Sequence, residues 1–214
     1  MINYQDKTCQ RAGDKLSLAK LQIDQVSAYK RTAVIWLILQ VLLWASFGIG
    51  YLFEPTAWVD VQTVDPSSAA VGGWFTTTLY IVGRNALVIA LIVAGNLFVR
   101  FGPVTPGLLA LAMQGIAIGW LAGTNGFEAP FVSVAAANAQ FFRVGLWETT
   151  AYAVACGVTI TKSCLVAERF PAKQWSEVRR LRDLRFSREE KILGLVAFLC
   201  LVGAALVEAL YLAG

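Results

Sequence analysis

From Ala33 to Phe53 the chain runs without a formal charge. An α-helix needs about 20 apolar residues to cross the hydrocarbon of a bilayer, and this block supplies them. In lipid every backbone N–H and C=O must be satisfied within the protein, so only helices and closed barrels span. The block is not alone. Hydropathy predicts further spans at 85–101, 106–122, 142–167 and 192–213. We therefore expect an all-α fold, a polytopic membrane helix bundle of about five transmembrane helices plus interfacial or re-entrant helices.

Charge agrees with this reading. Only 15% of residues are charged, against about 25% in a soluble domain. The net charge of +4 is not spread as a nucleic-acid surface would be: six Lys/Arg precede residue 32 and eight lie from Arg169 to Lys191. Arg84, Arg100, Arg143 and Lys162 are the others, all near predicted helix ends. Excess Lys/Arg marks cytoplasmic loops. The expected topology has the amino terminus inside and the carboxyl terminus outside, in a bacterial-type inner membrane, with a thylakoid or organellar membrane as alternative. No secretory signal and no nucleic-acid partner are expected.

The predicted organisation is a cytoplasmic amphipathic arm, 1–32, and a transmembrane bundle, 33–214. In the arm, Leu16, Leu21, Ile23, Val26 and Tyr29 share one loose helical face. The basic cytoplasmic segment 168–191 carries Trp175, Val178 and Leu181 at helical spacing beside Arg179, Arg180, Arg182 and Arg185. That pattern predicts an amphipathic helix against anionic lipid. Ser187-Arg188-Glu189-Glu190 reads as a capping box opening the last span. Residues 74–101 are too long for one ordinary crossing. They predict a short interfacial or re-entrant helix, broken near Gly83-Arg84-Asn85, and then a span. Val134 to Ala139 predicts a short helix in an outer loop.

The chain contains no histidine, and its four cysteines, Cys9, Cys156, Cys164 and Cys200, have no ligand spacing. A Ser-His-Asp triad, a zinc protease helix and a His-ligated haem are excluded. No phosphate-binding loop occurs. The expectation is a protein without catalytic residues, metal or cofactor.

Glu148 is the residue that most invites a function, because a carboxylate at membrane depth costs roughly 2.5–3.5 kcal/mol on insertion scales. Arg143, Thr149, Asn85 and Gln114 are its possible partners. It either hydrogen-bonds to hold a broken backbone in place or contacts an ion, proton or polar substrate. Asn85, Asn96, Gln40 and Gln114 are expected in interhelical hydrogen bonds. Glu208 lies near the outer end of the last span, where it reaches water or a partner subunit. Gly115, Gly119 and Gly123 form a ridge without side chains at every fourth position, suited to close helix packing. Gly145 is a further packing candidate.

Arg84-Asn85-Ala86-Leu87, then Gln114-Gly115 with Gly119, then Val144-Gly145-Leu146-Trp147-Glu148 with Ala151 and Gly157, resemble the stage II sporulation protein M family of integral membrane proteins. That family typically shows an Asn opening one helix, an Asn-Gly step in a Gly-rich helix, and a His-Gly-x-x-Glu motif opening the next. Here Gln stands for the second Asn and Val for the His. The resemblance covers residues 70 to 165. It implies a helical membrane scaffold, such as helps assemble a membrane complex that remodels the cell wall in sporulating bacteria. A role resting on the family's His does not carry over.

Three functional readings stand at this point. The first is a non-enzymatic subunit that scaffolds a membrane complex with other membrane proteins, as a hetero- or homo-oligomer. The second is a transporter or channel component with a polar site around Glu148. The third is an accessory subunit of a respiratory or photosynthetic assembly, for which an absorption spectrum of the complex is the test.

Overall fold

The computed structural model describes residues 26–213, apart from 60, 62–64, 66, 68, 69, 168, 169, 172 and 173. Most of the predicted amphipathic arm, with Cys9, lies outside the described residues. The first long helix, α1, spans Ala28–Phe53. It begins where the Ser27 hydroxyl accepts the Lys30 N–H, 3.4 Å away, a side-chain cap on an otherwise orphaned donor.

The second helix, α2, spans Trp74–Phe98 without interruption. The predicted break at Gly83-Arg84-Asn85 does not occur. One exposed glycine costs a helix only about 1 kcal/mol relative to alanine, and nothing crowds Gly83. At 25 residues the helix is about 37 Å long, which a bilayer accommodates by tilt. Helix α3 spans Pro106–Gly123, opened by the Thr105 side chain and by proline in its first turn. A short α4, Val134–Gln140, appears where it was expected.

The predicted fourth span is redrawn. Helix α4 runs through a π-helical turn, Phe141–Gly145, into α5, Leu146–Thr159. The helical stretch thus starts earlier than expected and ends earlier. Residues Leu165–Ala167 are a strand, not the end of a span. Beyond Thr159 the chain finds partners on α2 instead: the Ser163 hydroxyl donates to the Asn96 carbonyl at 2.6 Å, and the Cys164 N–H donates to the Leu97 carbonyl at 2.7 Å. Helix α6 spans Arg188–Leu212 and opens with the predicted capping box. Among the described residues, α1, α2, α3 and α6 are long and apolar enough to cross a membrane.

At one end of the bundle lies a small sheet that the sequence did not announce. Strand β1, Val99–Phe101, pairs in parallel with β2, Leu165–Ala167, which pairs antiparallel with β3, Ser176–Glu177. The amphipathic helix expected near Trp175 is absent. A single 3-10 turn, Leu181–Asp183, is the only helical piece among the described residues from Phe170 to Ser187. In a helix Arg179, Arg182 and Arg185 would stack like charges three apart. The sheet gives the backbone other partners, and the Trp175 ring packs edge-on against Phe101, centroids 5.3 Å apart.

Packing follows from the glycine ridge. Along α3, Gly107, Leu111, Gly115, Gly119 and Gly123 are all buried, one per turn. A side chain at Gly119 would strike the Leu43 carbonyl of α1, and one at Gly123 the Phe47 carbonyl. The ridge is thus consumed by α1 within the same chain. Helix α5 is the hub, packed against α1, α2 and α6, with Ala151, Tyr152, Ala153 and Val154 buried in succession. From Thr149 to Thr159 all but Thr150 and Ala155 are buried, which places this part of α5 at the centre of the bundle. The exterior is apolar instead: Leu37, Leu91 and Leu195 are each more than half exposed. Such a surface suits hydrocarbon rather than water.

Candidate functional site

Three polar clusters tie the helices together. Two are visible in the sequence only as isolated residues.

The first contains Glu148. One turn of α5 carries Glu148 and Tyr152 on the same face, four residues apart. That face meets α2 at Asn85. The Asn85 amide donates to the Glu148 carboxylate, and the Tyr152 hydroxyl donates to the Asn85 carbonyl oxygen at 2.5 Å. Asn85 thus uses both ends of its amide between two side chains of one helix. Glu208 on α6 and Arg84 on α2 lie in the neighbourhood of this group. Asn85, Glu148 and Glu208 are half-buried, whereas Arg84 is exposed. The cluster therefore reaches the side of the bundle through Asn85, Glu148, Glu208 and Arg84, while Tyr152 is buried behind them.

Of the four partners considered for Glu148, the structure selects Asn85. Arg143 lies elsewhere, its guanidinium 4.8 Å from the centre of the Tyr211 ring near the end of α6. Thr149 donates to the Gly145 carbonyl at 2.8 Å and accepts from Gln40 at 3.4 Å. Gln114 is half-buried on α3, and among the described residues no hydrogen bond joins it to Glu148. Gly145 closes the π-helical turn beneath the Phe141 ring. Its contact is therefore within one stretch of chain. Tyr152 was not foreseen. Its spacing of four from Glu148 was the available signal.

The second cluster surrounds Asn96, which is 0% exposed. Its amide donates to the Thr159 hydroxyl at 2.8 Å and the Cys156 carbonyl at 3.3 Å, and its side-chain oxygen accepts from Thr105 at 2.5 Å. With Ser163 on its backbone carbonyl, one residue joins α2, the start of α3, α5 and the chain beyond α5. The expected interhelical bonding of Gln40 is also present, and the Trp36 indole adds a bond to Thr150 at 2.9 Å.

The third lies at the sheet end of the bundle. Glu190 of α6 accepts from Arg31 of α1 at 3.3 Å and from Lys162, just beyond α5, at 2.8 Å. Arg31 also donates to the Gly157 carbonyl at 2.6 Å. All three charged side chains are nearly buried. The sequence showed Glu190 as a cap and the two cations as topology markers, without pairing them. Among the described residues no group of His, Cys, Asp or Glu is arranged to hold a metal.

No protein-family model, curated protein or solved structure matches the chain.

Proposed function

We propose that the chain is a non-enzymatic, multi-pass membrane subunit that assembles other membrane proteins, docking them beside the Asn85–Glu148–Tyr152 cluster. The observation that carries this is the reach of the cluster to the side of the bundle. Half-buried Glu148 and Glu208 and exposed Arg84 lie within an otherwise apolar exterior. Ionisable groups at membrane depth normally face protein or water rather than lipid. A polar residue on a partner helix completes such a site. In the same reading α4–α5 is a fifth crossing. The Arg31, Lys162 and Arg100 end then lies in the cytoplasm of a bacterial-type cell, and the loops joined by Asn125 and Ala57 lie outside. The resemblance to the stage II sporulation protein M family implies the same kind of role, and Asn85 and Glu148 belong to two of the segments that carry it.

The test is purification of the tagged protein from its native membrane in mild detergent. A fixed-ratio set of partners, lost on Glu148→Gln with folding intact, is expected. Recovery of wild type as a monodisperse homo-oligomer alone overturns the proposal.

A second reading has its own observation. Glu148, Asn85 and Tyr152 form a relay of hydrogen bonds across α2 and α5, with a second carboxylate, Glu208, on α6. A transporter or channel component uses such groups to pass an ion or proton. It predicts that Glu148→Gln abolishes flux in proteoliposomes; unchanged flux removes it.

A further inference from the structure

A cavity of about 600 Å³ opens beside the Glu190 ion pairs, where the starts of α1 and α6 meet the chain beyond α5. Arg31, Lys162, Arg179 and Arg188 line it, against two carboxylates, Glu189 and Glu190. Both carboxylates are already engaged. Glu190 holds Arg31 and Lys162, and Glu189 accepts the Ala28 N–H at 3.2 Å. Among the described residues neither Arg179 nor Arg188 has an acidic partner, although Glu177 and Asp183 nearby pair with Arg180 and Arg182 instead. The cavity is thus a concave, water-accessible space with two guanidinium groups uncommitted. Its size falls in the ordinary range for ligand sites, about 300–1,000 Å³.

We infer that this cavity binds a phosphate-bearing anion, either the headgroup of an anionic phospholipid or a soluble phosphate compound. Guanidinium groups bind phosphate through paired, charge-assisted hydrogen bonds. The Arg31–Glu190–Lys162 set forms the rigid floor, and Arg179 and Arg188 close on the ligand from the basic segment. The inference does not depend on Glu148 or on the assembly reading.

The experiment uses the full chain in phosphatidylcholine nanodiscs carrying increasing phosphatidylglycerol. Retained lipid is counted by native mass spectrometry, with inorganic phosphate as competitor and as a separate titrant. The wild type is expected to bind one anion per chain saturably. Arg179→Gln with Arg188→Gln weakens it on the order of tenfold, the scale of one lost charge-assisted contact pair. Arg180→Gln with Arg182→Gln removes the same charge outside the cavity and shifts binding by less than about twofold. Arg188→Gln alone, at an exposed position, gives an intermediate loss and guards against misfolding of the double variant. Phosphatidylglycerol retained against phosphate assigns the site to a lipid headgroup. Saturable phosphate binding without lipid retention assigns it to a soluble compound. Displacement of lipid by phosphate shows one site that reads either. Absence of saturable binding by both, or equal weakening by the two double variants, overturns the inference.

Discussion

Asn85 and Asn96 lie on one helix, eleven residues and about 16 Å apart, and they do opposite things. Asn96 is sealed and bonded to neutral groups: Thr159, Thr105, Ser163 and a backbone carbonyl. Asn85 is half-open and bonded to a carboxylate and a phenol. A closed neutral node specifies how helices meet, since every donor has an acceptor and nothing remains for a ligand. An open one keeps ionisable groups partly exposed on a largely apolar bundle, where they are costly if the bundle lies in lipid. The difference separates a residue that seals a junction of helices from one that leaves ionisable groups within reach of the surface.

The comparison breaks first at Asn96. Asn96→Ala leaves the buried Thr105 hydroxyl without its acceptor and opens a void where four segments meet. Each orphaned buried polar group costs about 1–3 kcal/mol, so a loss of about 3 kcal/mol is expected, read as a lowered unfolding midpoint in detergent. A loss of under about 1 kcal/mol would show that the node is not a keystone.

Next comes the ion-pair end. Glu190→Gln removes the acceptor charge shared by Arg31 and Lys162, whose side chains are 9% and 12% exposed. Hydrogen bonds to charged groups contribute about 1.5–3 kcal/mol each when lost, and the position at the bundle end admits water to the freed cations. About 2 kcal/mol of destabilisation is expected, partly recovered by adding Arg31→Met, because the second change removes a stranded charge. A double variant no more stable than Glu190→Gln alone would show that Arg31 is not paired through Glu190.

These two sites also show what the sequence could convey. Span α3 and the capped start of α6 were legible because hydropathy and Ser187-xx-Glu190 are local signals. The glycine ridge was legible as packing, and its partner turned out to be α1. The end of the fourth span is not legible locally, because Thr159 and Ser163 there bond to Asn96, more than 60 residues away. The basic segment misled for a related reason. Its helical spacing was real, but β2 supplied the backbone partners that the pattern alone did not reveal. Glu148 was legible as unusual, and Asn85 was among its foreseen partners. Tyr152 was hidden, since a tyrosine in an apolar helix looks like packing until its hydroxyl finds an acceptor.

Tyr152→Phe sharpens the contrast from the open side. It deletes one hydroxyl, leaving the Asn85 side-chain oxygen without that donor in a place that is only half-buried. One ordinary hydrogen bond is worth about 1 kcal/mol, so a loss of that size is expected, well below the Asn96 effect. An effect as large as that of Asn96→Ala would make the Asn85 cluster a sealed structural node after all.

The smallest expected change in stability accompanies the largest expected change in function. Glu148→Gln keeps the shape of the side chain and an oxygen that still accepts from Asn85, while removing the group that can ionise. The hydrogen bond to Asn85 is kept at a half-buried position, so the net shift is expected to stay under about 1 kcal/mol. If the unfolding midpoint holds while partners or flux disappear, the carboxylate serves something outside the chain. If the midpoint falls by as much as in Asn96→Ala, the carboxyl group is there to hold α2 against α5, and both functional readings lose their site.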